Sequence, residues 1–502
     1  MTTIEYICKN CPWTDDDVGP FSEDATGSDD KPIIKFHRDK GHNVIEYEEN
    51  VFTPGREITN DFESIHENTS YNKIDRKKDD ITKMVLILED HHFINRKIEQ
   101  FEQLYVYDNG VYIKDTSIIE KECEIVFPDC TTHFVNEVRN KLARRNYEAD
   151  KKLKSTKNKK CFKNYIYDFD NDCKLEHSPE YFFRSKIPVI YDPTKIPKEI
   201  LGFLKRIFEL EDGFDVRGYV TLLESGAVCL LDDDNLQLAT IAVGEGSNGK
   251  TTWYNILENF FGSKNIANLS IREIENDRFA LIGLFDAIVN ICGDIDAKEI
   301  TTTGNIKKII GGDSVRVQQK GQPAFNMRTT AKLFFSCNRF PEVKDQSDGF
   351  FRRWNIIEFL KQFKKDRTLF VKLITEEELS GLLNIFISLI KGIIKRGDYL
   401  YNEEIGNLRD SWNKKANSVN SFCNEILLLV PEEYTANNVL YPNYRGYCKE
   451  NKLIPENNRN FNEKLRELGL IEGQKKIDGV NTRVWYGCTF KGMMKDSTLP
   501  TR

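Results

Sequence analysis

The run Gly244-Glu245-Gly246-Ser247-Asn248-Gly249-Lys250-Thr251 constrains this chain more than any other stretch, because it fits G-x-x-x-x-G-K-[ST] in full. Before it, residues 236–243 (Leu-Gln-Leu-Ala-Thr-Ile-Ala-Val) read as a mostly buried strand. After it, Thr252 to Phe261 reads as a helix, with Trp253, Ile256, Leu257 and Phe260 on one face and Gly262 as its stop. Strand, glycine loop and helix in that order are the context the motif needs. Gly244, Gly246 and Gly249 let the backbone wrap closely so that N–H groups face phosphate oxygens, and the helix start adds its positive dipole end. These residue types imply an ATP site. Lys250 reaches the β- and γ-phosphates, the Thr251 hydroxyl binds Mg²⁺, and Glu245, Ser247, Asn248 and Thr252 complete the wrap.

A P-loop does not by itself separate a kinase, a GTPase and a motor; the parts downstream do. Residues 285–293 form a second apolar run that ends on Asp294-Ile295-Asp296. A buried strand that delivers a carboxylate beside the P-loop holds Mg²⁺ and orients the attacking water. Asp294 is the candidate for the metal, together with Thr251, and Asp296 is a second carboxylate; the alternative is two acids that merely end a strand. A third apolar strand, Ala331 to Cys337, ends on Asn338, a polar side chain suited to bond the γ-phosphate or the lytic water. Arg352 and Arg353 come next, as candidates for an arginine finger that stabilises charge on a neighbour's ATP or, more plainly, as a solvated or salt-bridged pair.

The order of Gly246-Ser247-Asn248-Gly249-Lys250-Thr251, Gly311-Gly312-Asp313-Ser314-Val315, Phe335-Ser336-Cys337-Asn338-Arg339-Phe340-Pro341 and Asp348-Gly349-Phe350-Phe351-Arg352-Arg353 resembles superfamily 3 helicases, and within them the phage, plasmid and poxvirus primase–helicase C-terminal family. The resemblance runs over roughly residues 80 to 490 and takes in residues 105–112 and 376–384. It implies an α/β, AAA+-like P-loop ATPase core with a helical N-terminal domain and a C-terminal winged-helix domain. It also implies a homo-hexameric ring with ATP between subunits and a pore hairpin that tracks single-stranded DNA. The hairpin should lie over Val315 to Phe325, with Lys320 as the candidate DNA contact and Arg316 and Lys308 as weaker ones. A solvated turn lysine is the bland reading of Lys320. The family often shows a Glu or an adjacent acid pair at the second strand's end, whereas this chain has Gly293-Asp294-Ile295-Asp296, which leaves the metal-orienting and water-activating roles of the two acids open.

Length, at 502 residues, suggests about three domains. The expected division is a candidate zinc-binding segment over 1–50, a linker over 51–80, a helical N-terminal domain over 81–200, the ATPase core over 201–365, a helical lid over 366–415, a winged-helix-like domain over 416–490 and a tail over 491–502. Cys8-x2-Cys11 and His37-x4-His42 have ligand types and pair spacings that suit zinc, although the gap between the pairs is about twice that of the usual finger. Incidental residues in a loosely ordered N-terminus are the alternative. Between Lys151 and Lys163 there are seven lysines and no acid, either a solvated face or an entry collar for DNA. Net charge is −7, which argues against a protein that coats nucleic acid with its whole surface. The scattered cysteines, the lack of an apolar span and the lack of a signal-like start point to a reduced, cytoplasmic protein with no membrane partner.

Together these features point to an ATP-dependent replicative DNA helicase of a viral or plasmid-like replicon, acting on single-stranded and forked duplex DNA. A separate primase or initiator is expected, because too few residues precede the family-like region for a primase domain. The alternative is an origin-binding initiator in which ATP only switches assembly. A small-molecule kinase would leave the hairpin, Asn338 and the paired arginines without a role.

Overall fold

The computed structural model describes residues 4–8, 44–48, 73–98, 101–147, 153–232, 236–293, 295, 300–364, 366, 368–451, 453–477 and 479–491. The chain divides into two units, residues 1–77 and 78–502. In the first, β1 (Ile4–Cys8) pairs antiparallel with β2 (Val44–Glu48), Cys8 opposite Val44. Cys11, His37 and His42, three of the four candidate zinc ligands, lie outside the described residues. A helix over Lys73–Leu88 occupies the end of the segment expected as linker.

Residues 81–200 depart from the expected helical domain. Helices over Ser117–Val126 and Thr132–Arg145 are present, yet much of the region is sheet. β3 (Phe93–Ile98), β4 (Phe101–Asp108) and β5 (Val111–Ile113) form an antiparallel meander. β6 (Lys159–Phe162), β7 (Ile166–Asp168), β8 (Cys173–Leu175) and β9 (Lys186–Ile187) form a second sheet in the order β8-β7-β6-β9. Six of these seven strands span six residues or fewer, too short to show a clear period of two against a charged background. Two lysines of the run, Lys159 and Lys160, lie in β6 of this second sheet. Lys159 pairs with Asp168 at 2.9 Å and Lys163 with Glu376 at 3.2 Å, while Lys154 meets Glu180 and Lys160 meets Asp232. Four of the seven lysines therefore pair with acids, while Lys151 and Lys152 lie outside the described residues.

The helix Lys198–Phe208 leads into a short ribbon, β10 (Glu209–Leu210) with β11 (Gly213–Phe214), and then the helix Val216–Val228. Next comes the core, a five-stranded sheet in which every pair is parallel. Its strands are β12 (Ala239–Val243), β13 (Ile266–Ala267), β14 (Val289–Cys292), β17 (Lys332–Cys337) and β18 (Trp354–Glu358), in the order β13-β14-β17-β12-β18. Between β14 and β17, β15 (Val315–Val317) and β16 (Phe325–Met327) make an antiparallel hairpin. Both faces of the sheet are covered, as parallel sheets require. Ala242, Phe334 and Ile357 enter one apolar cluster with Trp253, Leu257 and Phe260 of the P-loop helix. Ile241, Val243, Phe335 and Cys337 enter the other, with Val315, Val317, Phe325 and Met327 of the hairpin.

The segment expected as a helical lid is largely helical and packs on the core. Its long helix, Glu376–Arg396, buries Leu379, Leu382, Leu383, Phe386, Ile387 and Ile390 in the first cluster. The approach is close: a Cβ on Gly381 would stand 2.4 Å from the backbone nitrogen of Pro197. Residues 418–490 comprise helix Ser418–Ile426, β19 (Leu427–Ala436), helices Asn437–Glu450 and Asn458–Glu467, then β20 (Ile471–Ile477) and β21 (Val480–Phe490). The three strands pair antiparallel in the order β19-β21-β20 around a separate apolar cluster. The first strand begins directly after the helix Ser418–Ile426, at Leu427. Among the described residues no helix is long and apolar enough to cross a membrane, and the cysteines from Cys123 to Cys488 are free thiols.

Trp412 fastens the helix Ile405–Ala416 to the core. It is fully buried among Phe340, Phe350, Phe351 and Trp354, and its Nε1 donates to the carbonyl of Pro341 at 3.0 Å. Trp412→Ala should destabilise the protein by about 3–5 kcal/mol, read as a lowered thermal midpoint; an unshifted midpoint would refute this account of the junction.

Candidate functional site

β12 delivers residues 244–249 to the C-terminal end of the sheet, where the helix Lys250–Phe261 begins. The loop is held at fixed points. The Gly244 N–H donates to the Cys337 carbonyl at 3.2 Å, and the Ser247 carbonyl accepts from the Phe363 N–H at 2.8 Å. Buried Asn248 donates from Nδ2 to the Phe359 carbonyl at 3.2 Å. Gly249 sits at φ +98°, which favours glycine, and a Cβ there would stand 2.8 Å from Ile207. Ser247 is also left-handed, at φ +64°. The chain is thus bent into the cradle that the motif requires, with the first N–H groups of the P-loop helix opening toward it.

Lys250 is only 4% exposed. Its ammonium donates to the Gly244 carbonyl and, at 3.3 Å, to Oδ1 of Asn248. A lysine buried beneath a glycine loop, beside backbone carbonyls, suits an anionic ligand held at the loop. Thr251 is exposed and Thr252 half-buried on the first turn, and Glu245 and Gly246 form the open rim. The Tyr254 hydroxyl donates to the Phe335 carbonyl at 2.6 Å and fixes this helix on β17; burial pushes its pKa well above the ordinary tyrosine value.

Asp294 and Asp296 lie outside the described residues. Their neighbour Ile295 donates its N–H to the Ser336 carbonyl at 2.8 Å, so the chain still runs beside β17 past the end of β14. Among the described residues no three acidic, histidine or cysteine side chains converge on a metal position. Mg²⁺ at a phosphate site takes only one or two protein ligands, so the Thr251 hydroxyl with one carboxylate suffices.

β17 lies between β14 and β12, and its end therefore emerges beside the P-loop. Asn338 is exposed there, one residue beyond the Cys337 carbonyl that holds Gly244. Arg352 and Arg353 are elsewhere. Arg353 hands its carbonyl to the Ala239 N–H at 2.8 Å, at the start of β12, whereas the P-loop leaves its far end. The separation is a strand of five residues, roughly 16 Å. The two arginines also differ from each other. Arg353 is half-buried, donates to the Gly349 carbonyl and stands against the turn at Gly311; burial and then the charge of Arg352 pull its pKa down, against Asp313. Arg352 is exposed.

The hairpin places Val315, Val317, Phe325 and Met327 in the core and turns Arg316 and Asn326 outward as a cross-strand pair. Lys320 is exposed at its tip beside Gly321, at φ +81°, and Lys308 is exposed on the last turn of the helix Gly304–Ile310. Arg328 is also exposed, just beyond β16, and was not legible from the alternating run that ends at Phe325. Arg339 was likewise not legible as a contact residue, since its guanidinium meets the distant Glu456 at 2.5 Å.

Family comparisons cover the chain in three stretches. Residues 31–209 match the D5 N terminal like family, 242–353 a family of unknown function (DUF5906), and 414–491 the Poxvirus D5 protein-like family. D5-type matches on both flanks of the P-loop core meet the resemblance that the motifs carry. Among curated proteins, "Putative helicase 184R" of Invertebrate iridescent virus 6 is 27% identical over 235 residues, 42% of this chain and 23% of the relative. "Putative helicase L207/L206" of Acanthamoeba polyphaga mimivirus is 26% identical over 175 residues, 34% of this chain and 18% of the relative. The matched region is thus about a fifth of the length of these relatives. A solved apo structure of the NrS-1 C terminal region covers 80% of this chain and 98% of its own at 12% identity, with a TM-score of 0.42, too loose a likeness to argue from.

A Cβ on Gly244 would lie 2.3 Å from the Phe359 carbonyl oxygen and 2.4 Å from Nδ2 of Asn248, whereas one on Gly246 meets nothing within 4 Å. Gly244→Ala should therefore cost on the order of 1–3 kcal/mol in thermal denaturation and Gly246→Ala almost nothing. Equal effects would show that the loop is not packed against Phe359 in solution.

Proposed function

We propose that this chain is the ATP-hydrolysing motor of a viral DNA replication helicase, with an AAA+-like core that works as a homo-hexameric ring. The observation that carries the reading is the strand order. The P-loop strand is bonded on one side to the strand that precedes Asn338, with the strand leading to Asp294 beyond it, and parallel neighbours opening at the same end of a sheet support a shared phosphate and water site there. The relatives named as helicases and the D5-type matches support the same reading.

In this reading the triphosphate lies along residues 244–251, and Lys250 exchanges the Gly244 carbonyl and Asn248 for β- and γ-phosphate oxygens. Thr251 and Asp294 would hold Mg²⁺, which supplies neutralisation of phosphate charge when bound. Asn338 orients the attacking water or bonds the γ-phosphate, and Asp296 offers a second carboxylate. Arg352 serves another subunit's ATP, since it stands a strand's length from its own P-loop. Lys320 at the hairpin tip meets the phosphates of single-stranded DNA, with Arg316 behind it and Lys308 as a weaker contact. Such contacts are independent of sequence, as translocation demands. The helix–strand–helix–helix–strand–strand order of residues 418–490 supports a winged-helix reading of this domain. A zinc site over Cys8, Cys11, His37 and His42 and a separate priming protein complete the proposal.

Lys250→Ala should lower ATP hydrolysis roughly 10²-fold or more while the protein stays folded; normal turnover in that variant would end the ATPase reading. Lys320→Ala should cut displacement of a strand from a forked duplex far more than it cuts ATP hydrolysis. If both fall together, or neither falls, the hairpin is not the DNA-tracking element. Hydrolysis that ignores single-stranded DNA and displaces nothing would favour the initiator alternative.

A further inference from the structure

Asn338 sits between two anchored residues. On one side the Cys337 carbonyl accepts the Gly244 N–H, which fixes the backbone to the P-loop. On the other side Arg339 reaches out of the core into the C-terminal domain. Its Nη1 meets Oε2 of Glu456 at 2.5 Å, and its Nη2 donates to the Pro455 carbonyl at 3.2 Å. The same loop is held further along. Glu342 accepts from Lys464 at 3.1 Å and from Nδ2 of Asn417 at 3.2 Å, and Phe340 packs on Trp412.

Glu456 is itself rigidly placed. Its N–H donates to the hydroxyl of the fully buried Tyr444 at 2.7 Å, and its carbonyl accepts from the Tyr441 hydroxyl at 3.1 Å. Its carboxylate also accepts from Nδ2 of Asn460 at 3.0 Å. Burial works against its charge, yet Arg339, Asn460 and Lys464 hold the carboxyl below the ordinary glutamate range. Gly244, Arg339 and Glu456 line one small cavity at the rear of the P-loop. A carboxylate fixed at both backbone atoms and bonded to a guanidinium is a firm point from which to orient a neighbouring loop.

We propose that Glu456 is a positioning residue for ATP hydrolysis: acting through Arg339, it fixes the backbone that carries Asn338, so the C-terminal domain sets the rate of turnover. The inference rests on the ATPase reading above and adds a function for residues 414–491 that requires no contact between them and nucleotide. A domain that undocks from Arg339 leaves the P-loop intact and Asn338 loosely held, which lowers turnover without lowering affinity.

The test is steady-state ATP hydrolysis by the full chain. Glu456→Gln keeps the shape and removes the charge; kcat should fall roughly tenfold to a hundredfold with KM for ATP little changed. Glu456→Asp should recover part of the loss. Glu456→Gln added to Asn338→Ala should lower kcat no further than Asn338→Ala alone, a non-additivity that a merely structural strut would not produce. Should Glu456→Gln unfold the C-terminal domain, Arg339→Lys carries the same test, because it keeps the charge and loses the fork. If Asn338→Ala abolishes turnover while Glu456→Gln and Arg339→Lys stay within about twofold of the parent, this inference is wrong and the ATPase reading stands. A parent chain without turnover, or one indifferent to Asn338→Ala, overturns the role of the loop itself and this inference with it.

Discussion

β12 meets no solvent along its length: β17 bonds one edge, β18 the other, and its residues alternate between two apolar clusters. A strand in that position must bury every side chain, and Ala239 to Val243 are all buried, with Thr240 the one hydroxyl among them. It must also be short and parallel to its neighbours, so that its carboxyl end opens where theirs do. The loop at Gly244, the start of the helix at Lys250 and the end of β17 at Asn338 come together for that reason. Removing any one of these features would leave the others without a common site, because the sheet is what brings them together.

The same requirement explains what could be read in advance. A buried parallel strand announces itself as a continuous apolar run, and residues 236–243, 285–293 and 331–337 did so, to within a few residues of the strands found. The helix after the P-loop also kept to its apolar spacing, down to Gly262, which takes φ +83° at its end. The N-terminal sheets were hidden because their strands are short and charged. Lys159 and Lys160 sit in β6 facing Asp168 and Asp232, partners that no local pattern reveals. The long helix at Glu376–Arg396 was visible as a helix but not as a core wall, since its apolar stripe does not say what it meets. At the site, the identity of the cradle was legible in the motif. The holding bonds from Phe359 and Phe363, far along the chain, were not.

Adjacent arginines offer a sharper case. In sequence Arg352 and Arg353 are equivalent; in the fold one is spent and the other is not. Arg353 is turned inward onto Gly349 and the turn at Gly311, and its burial disfavours any further charge-bearing role. Arg352 remains exposed, at the amino end of β18. For it to act on a phosphate held at residues 244–251, that phosphate must belong to another copy, because a parallel sheet puts the two ends of its strands on opposite sides of the molecule.

The C-terminal domain shows the converse economy of charge. On its third helix Arg459 pairs with Glu463 at 3.1 Å and Arg466 with Glu472 at 2.6 Å, while Lys464 turns back to Glu342 on the core. Exposed pairs of this kind add little stability, but they cancel the positive field that phosphate binding needs. A helix with its cations answered in this way is poorly suited to lie along a duplex and well suited to pack. Its inward contacts converge on residues 339–342, next to Asn338, rather than on a free surface. The charges of this helix are thus answered by Glu463, Glu472 and Glu342, and its contacts make it a packing element against the core.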